Sequence, residues 1–159
     1  MRLREEFSET FDIYGAVVKY IHRYAHWDLL WHSRLMPTLG QSRGKLIILQ
    51  DFAGPDLGMR YSSLDIGDAW KVPTLLHVAE KWNRVYEHLE LAAVGNRAHI
   101  YLTYSSGAGL FACPNAVAKR INARLYDYLT AHLGQSVHFG IIAMDYPAAP
   151  LVQMIIGFN

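Results

Sequence analysis

An α/β fold built around a parallel sheet is what this sequence predicts, on three observations. Short apolar runs alternate with longer stretches of helical periodicity. The run Phe139–Met144 is apolar without alternation, which fits a strand buried on both faces, as in a parallel sheet. That run stops on a single carboxylate, Asp145, with Pro147 two residues on. A lone acid at the carboxyl end of a buried strand stands where α/β folds place their chemistry.

The elements follow in order. Residues 8–24 read as an amphipathic helix, with Ser8 as N-cap and Phe11, Tyr14, Val17, Val18 and Ile21 at helical spacing. Tyr24–Met36 is rich in aromatics and histidines. Lys45–Leu49 reads as a short buried strand after Gly44, and Ala53–Arg60 as a loop carrying Gly54, Pro55 and Gly58. Ser63–Ile66 reads as a second short strand. Pro73–Ala93 is the clearest helix, with Leu75, Val78, Ala79, Trp82, Val85, Tyr86 and Leu89 in one stripe and Gly95 as its stop. His99–Tyr104 is a strand, followed by a Ser105–Gly109 loop. Pro114 opens a helix with Val117, Ile121, Leu125, Tyr128 and Leu129 on its apolar face, ending near Gly134. After the strand to Asp145, Leu151, Val152, Ile155 and Ile156 mark a terminal helix. This alternation implies right-handed crossovers in a parallel sheet. Its count suits half of a (β/α)₈ barrel, which takes about 250 residues; a small complete α/β sandwich fits the same pattern. No linker, repeat or low-complexity segment divides residues 1–159, which read as a single partial domain.

Composition narrows the function classes. The 159 residues are 52% hydrophobic and 13% aromatic, which excludes a disordered tail. A formal charge of +1 gives no global field to draw the chain onto nucleic acid, and no nucleic-acid partner is expected. Arg2/Arg4 and Lys119/Arg120/Arg124 are the local basic concentrations, the latter a solvated helix face. A single cysteine, Cys113, excludes an intrachain disulfide and a cysteine-based metal site, and reads as a small semi-buried side chain. No apolar run reaches the ~18 residues of a membrane span, and the start, Met1-Arg-Leu-Arg-Glu-Glu-Phe, carries no signal-peptide core.

Other candidate motifs read as structural. His22 and His26 have the i, i+4 spacing of a metal pair, with His32 and Asp28 nearby, but no His-Glu-x-x-His pattern exists and the group reads as an aromatic–histidine surface. His99 and His138 open strands and are expected to face outward at the amino end. The glycines of 105–109 fit no phosphate-cradling fingerprint. No metal and no cofactor are expected.

Four segments, in order, carry a family resemblance. Leu39–Phe52, with its Arg43-Gly44-Lys45 turn and apolar run, resembles a segment of the bacterial-type phosphatidylinositol-specific phospholipases C. Gly67-Asp-Ala-Trp-Lys-Val72 resembles the family's Asp-x-aromatic-Lys segment ahead of a long helix. His99–Gly107 resembles its next strand and Ser/Gly loop. Ile141-Ile-Ala-Met-Asp-Tyr-Pro147 resembles its final strand with the catalytic aspartate, in a form like that of fungal members, and Leu151–Asn159 its terminal helix. Met1–Glu6 looks like the end of its fourth strand. The resemblance spans nearly the whole chain and implies the C-terminal half of a TIM-like (β/α)₈ barrel.

What the family does is then an expectation for this chain. Members cleave the glycerol–phosphate ester of phosphatidylinositol by attack of the inositol 2-hydroxyl, with two histidines as general base and acid and an arginine stabilising phosphoryl charge. Those three groups sit on strands before the segment resembled here, so the chain is expected to lack them and to be inactive alone. The implied partners are an inositol phospholipid or related phosphodiester head group, a transient membrane surface, and an upstream barrel half or partner chain. Full-length members are often secreted, but this sequence assigns no compartment. Asp145, which on its own also fits an N-cap for the terminal helix, matches the aspartate that orients the base histidine. Asp68 matches an acid that bonds inositol hydroxyls, Trp70 an aromatic that packs on the ring face, and Arg4 a basic inositol contact. Asp51 departs from the pattern, which carries a basic residue there. Non-catalytic binding of a cyclitol, sugar or lipid head group, and a fragment of an incomplete gene, are the alternatives.

Overall fold

The computed structural model describes residues 2–4, 12–24 and 27–158 of the chain. They divide into two compact units, 1–64 and 65–159.

The first unit holds a three-stranded parallel sheet, in the order β1 (Arg2–Arg4), β2 (Leu49–Asp51), β3 (Met59–Arg60). Helix α1 (Ile13–Tyr24) packs Val17, Val18 and the buried Ile21 on a core of Leu30, Ile48, Phe52 and Leu57. Asp12 opens it, its carboxylate accepting from the Gly15 N–H at 2.8 Å; the expected start at Ser8 and Phe11 lies outside the described residues. A four-residue helix α2 (Leu39–Ser42) carries a complete capping box between Thr38 and Gln41. The strand expected at Lys45–Leu49 is displaced to Leu49–Asp51. The reason is competition for partners: Leu46 exchanges backbone bonds with Leu29 and Trp31, and only residues 49–51 lie in register with β1. The expected 53–60 loop ends in β3, a two-residue strand that pairs Leu49 with Met59 and Gln50 with Arg60. The Gln50 side chain bonds the loop backbone at Phe52, Pro55 and Leu57, so the loop is tied to the strand it leaves.

The second unit repeats the parallel arrangement with β4 (Asp65–Gly67), β5 (Tyr101–Tyr104) and β6 (Ile141–Ala143), β5 central. Helix α3 (Val78–Val94) connects β4 to β5, and α4 (Pro114–Ala131) connects β5 to β6; α5 (Ala149–Gly157) follows. Thr74, rather than Pro73, opens the α3 region: its hydroxyl accepts from Leu76 N–H, and a 3₁₀ turn over Leu75–His77 leads into the helix. Pro114 does sit in the first turn of α4. Val85, Leu89, Leu125, Leu129, Phe139 and Leu151 form one core cluster, and Val72, Val78, Val117 and Ile121 another. Each such buried side chain contributes roughly 1.5–3 kcal/mol of transfer free energy.

Strand β6 is shorter than the apolar run predicts, and Ile141 is 43% exposed. Gly140 breaks the extended backbone with φ +66, and a Cβ there would lie 2.3 Å from the Tyr101 carbonyl oxygen. The strand therefore starts at Ile141, two residues into the run. As the outer strand of its sheet, β6 has a strand neighbour on one side only among the described residues. Within these bounds the fold class is as expected: α/β, with parallel strands alternating with helices.

Candidate functional site

All three strands of the second unit end on the same side, as parallel strands must, and the loops that leave them carry the chemistry. β4 ends at Gly67 and is followed by Asp68 and Trp70. Asp68 is exposed, and Trp70 is 54% exposed with the Lys71 ammonium 5.6 Å from its ring centre. The Trp70 carbonyl accepts from Ala108 N–H at 3.0 Å, and Val72 N–H bonds the Ala108 carbonyl at the same distance. Gly107 and Gly109 permit this pairing, since a Cβ at Gly109 would lie 2.1 Å from the Val72 oxygen. The Ser105–Gly109 glycines thus serve close backbone approach.

β6 leads within two residues to Asp145, which is half-buried. Its backbone is held from α4: Asn122 Nδ2 donates to the carbonyls of Asp145 at 3.0 Å and Tyr146 at 3.2 Å. Tyr146 has φ +49, a left-handed turn that sharpens the exit from the strand. Asp145 does not cap the terminal helix. Ala148 stands at that N-cap, without a side-chain bond.

Between these two acids sits a residue that sequence reasoning passed over. Lys81 on α3 is 3% exposed, and its ammonium donates to the Tyr104 carbonyl, the last of β5, at 2.6 Å. Burial pushes the Lys81 ammonium down to about 8, against the attraction of Asp68 and Asp145, which act the other way. The signal was present: Val78, Lys81, Val85, His88, Leu89 and Ala92 all face inward from α3, so a lysine and a histidine interrupt its apolar stripe. Ala79 and Tyr86, assigned to that stripe, are exposed because the buried face is rotated toward Lys81 and His88. His88 bonds the Thr103 hydroxyl at 2.7 Å and lies 3.3 Å from an Asp65 carboxylate oxygen. Gly67 makes room for it; a Cβ there would be 2.5 Å from the His88 ring. Asp68, Lys81, Arg84, Glu87, His88 and Tyr104 contribute to a cleft of about 280 Å³.

In the first unit, Arg4 is exposed at the end of β1, in register with Asp51. Asp51, the departure from the family pattern, is neutralised by Arg2, whose Nε and Nη2 reach one carboxylate oxygen at 3.0 and 2.6 Å while the guanidinium stacks 3.8 Å over Tyr61. The histidine-rich segment is an aromatic stack: Trp27 Nε1 donates to His22, and His32 lies over the Trp27 ring with centres 5.4 Å apart. Among the described residues no cluster could hold a metal ion; His26 lies outside them. Cys113 is exposed at the N-cap of α4, not semi-buried, because the helix turns its Val117 and Ile121 face to the core instead. His99 is exposed as expected. His138 is not fully so: its ring meets Tyr101 in an edge-to-face contact, and its Nε2 is buried with no hydrogen-bond partner among the described residues.

No protein-family model matches this sequence, and no curated protein sequence matches it. Solved structures do. The phosphatidylinositol-specific phospholipase C of Listeria monocytogenes superposes on 100% of this chain with a TM-score of 0.82 at 21% identity, and the chain covers 62% of it. A Staphylococcus aureus phosphatidylinositol-specific phospholipase C, studied for modulation of its membrane binding, covers 100% of the chain with a TM-score of 0.76 at 18% identity, the chain spanning 64% of it. A pentafluoro-Phe form of the S. aureus enzyme matches 96% of the chain with a TM-score of 0.72. At such identities the likeness establishes the fold: the chain has the architecture of part of a TIM-like α/β barrel and spans less than two thirds of these relatives' length.

Proposed function

We propose that this chain is the inositol-binding part of a phosphoric diester hydrolase of the phosphatidylinositol-specific phospholipase C type. One observation carries the reading: Asp68, Trp70 and Asp145 leave the carboxyl ends of parallel strands within one compact unit, on a fold shared with such enzymes. Asp68 accepts inositol hydroxyl hydrogens, and Trp70 offers an apolar face to the C–H side of the ring. Asp145 fixes the tautomer of a general-base histidine and stabilises its imidazolium. That histidine, its acid counterpart and the phosphate-binding arginine belong to the part of the barrel these 159 residues do not span. Residues 1–159 are one partial domain. On this reading the 159-residue polypeptide alone does not turn over substrate.

The substrate is an inositol phospholipid met at a membrane surface. Leu76 and Leu110 are each 89% exposed and Phe111 is 72% exposed, on two segments joined through the Thr74–Phe111 and Lys71–Ala108 bridges next to Trp70. Large apolar side chains at such exposure suit partial insertion among lipid chains. Co-sedimentation with phosphatidylinositol/phosphatidylcholine vesicles is expected to fall at least fivefold in Leu110→Ser/Phe111→Ser.

Turnover of a fluorogenic inositol-phosphate ester by the purified chain tests the catalytic reading. No turnover is expected. Robust turnover abolished by Asp145→Asn would place the acid, base and arginine within these residues and overturn the assignment of catalytic groups. Saturable myo-inositol binding without hydrolysis, even when the remaining barrel strands are supplied, would favour the alternative of a non-catalytic binding protein.

A further inference from the structure

The β6–α5 end of the second unit differs in kind from the helices before it. Helices α3 and α4 present charge to solvent, through Arg84 and Glu87 on one and Lys119 and Asp127 on the other. From Phe139 to Asn159, Asp145 is the only Asp, Glu, Lys or Arg, and α5 has none. Burial does not account for this, because three apolar side chains of the segment stand open. Ile141 is 43% exposed, Val152 38% and Ile156 63%.

The open groups lie along one edge. The Ala143 carbonyl accepts from Ser105 N–H at 2.9 Å, so the backbone of Ala143 faces β5. Alternation along a parallel ladder then turns the N–H and carbonyl of Ile142 to the outer side of β6, where no strand stands among the described residues. The Ile142 side chain packs on the core beneath the helices. Ile141 therefore points to the opposite face of the sheet. On α5, Leu151, Met154, Ile155 and Phe158 pack on the same core, while Val152 and Ile156, four residues apart, mark a flank that no described element covers. Exposed edge strands in natural proteins carry charges or proline that block further pairing, and Ile141–Ala143 carries neither.

We propose that the outer edge of β6 and the Val152/Ile156 flank of α5 form one docking surface, whose occupant is a parallel β-strand with its own apolar-faced helix, from the remaining part of the barrel. The inference rests on the reading of this chain as part of a phospholipase C-type barrel and names the partner of that part. One such strand–helix unit answers all three open features: its backbone pairs with Ile142, its inner side chains cover Ile141, and its helix covers Val152 and Ile156. A closed barrel leaves no strand edge, and the chain covers 62% of a barrel that superposes on all of it. A lipid surface suits this edge poorly, since the N–H and carbonyl of Ile142 would enter it unpaired.

Amide hydrogen exchange of the 159-residue chain, followed by NMR, tests this. The added polypeptide is the segment of the Listeria monocytogenes phospholipase C that this chain does not cover. Alone, the Ile142 amide is expected to exchange fast and that of Ala143 slowly. With the added segment in excess, Ile142 exchange is expected to slow at least tenfold while Ala143 stays as it was. Ile156→Glu, at an exposed position, is expected to leave the melting temperature within a few degrees and to weaken the association at least tenfold. Unchanged Ile142 exchange in the presence of the segment overturns the proposal, as does an association that Ile156→Glu leaves intact. Sedimentation of the chain alone is expected to show a monomer. A dimer that Ile156→Glu disperses would make a second copy the occupant and overturn the proposal equally. Myo-inositol titration is read separately: its failure refutes the ligand reading, and the exchange data still decide on the docking surface.

Discussion

Acids stand at strand ends in both compact units, but the two units treat them differently. In residues 2–64, Asp51 at the end of β2 is closed by a two-pronged contact from Arg2, and Asp56 in the loop that follows is held by Arg34 and Arg60. Each of these carboxylates has an arginine of the fold itself as its hydrogen-bonding partner. In residues 65–158, Asp68 and Asp145 attract the buried Lys81 ammonium without an ion pair among the described residues, and Asp68 lines a cleft two residues from an exposed indole. Fully paired charges stabilise; charges left open to one another across a gap are available to a ligand. The contrast separates carboxylates closed by arginine from open ones without reference to any relative.

Substitutions can break that contrast, and the largest effect should come from the core beneath the second site. Leu125→Ala removes a completely buried side chain and should cost about 3 kcal/mol by denaturant unfolding. Inositol binding should disappear with the fold. A cost under about 1 kcal/mol would mean the site does not rest on this core.

Opposite signs are expected next. Arg2→Ala leaves the half-buried Asp51 unpaired and should destabilise by about 1–2 kcal/mol. Lys81→Met removes a buried charge and should stabilise by about 1–2 kcal/mol at pH 7. The sign follows from linkage. The Lys81 ammonium is held down at about 8 in the folded chain against 10.5 for an ordinary lysine, so folding with the proton on is penalised below pH 8. That penalty fades between pH 8 and 10.5, where the unfolded chain still binds the proton, so wild type should gain on Lys81→Met across this window. Thermal melts at pH 7 and pH 10 read both effects. A Lys81→Met chain that melts lower at pH 7 would make the lysine a structural tie like Arg2.

The smallest effect on stability belongs to the rim. Leu110→Ser and Phe111→Ser touch highly exposed side chains and should change unfolding free energy by less than about 0.5 kcal/mol, although vesicle binding falls.

Much of this arrangement was legible in the residues. Pro114 and the Val117–Leu129 spacing marked α4, and the apolar run ending at Asp145 marked the strand that delivers it. What escaped has physical causes. β3 is two residues long and α2 four, so both exist through tertiary pairing and capping rather than through a pattern of their own. Residues 45–49 were apolar enough for a strand, but which residues pair depends on partners distant in sequence, and the pairing falls on Leu49–Asp51. Gly140 signalled a break in the 139–144 run, and the close approach to Tyr101 makes it one. Lys81 was visible as a charge at Val78+3 and Val85−4, on a face otherwise apolar. Asp51 stood out as a departure from the resembled pattern, and its pairing with Arg2 was not legible because the two residues are 49 apart in sequence.

The central claim is that the β4–β6 strand ends form a cyclitol site. Calorimetric titration of myo-inositol into the 159-residue chain at pH 7, repeated with the Asp68→Asn/Trp70→Ala variant, tests it most directly. Saturable binding in wild type, lost in a variant that melts within a few degrees of it, is the predicted result. Binding that survives the double substitution, or no binding to the folded wild-type chain, would contradict it.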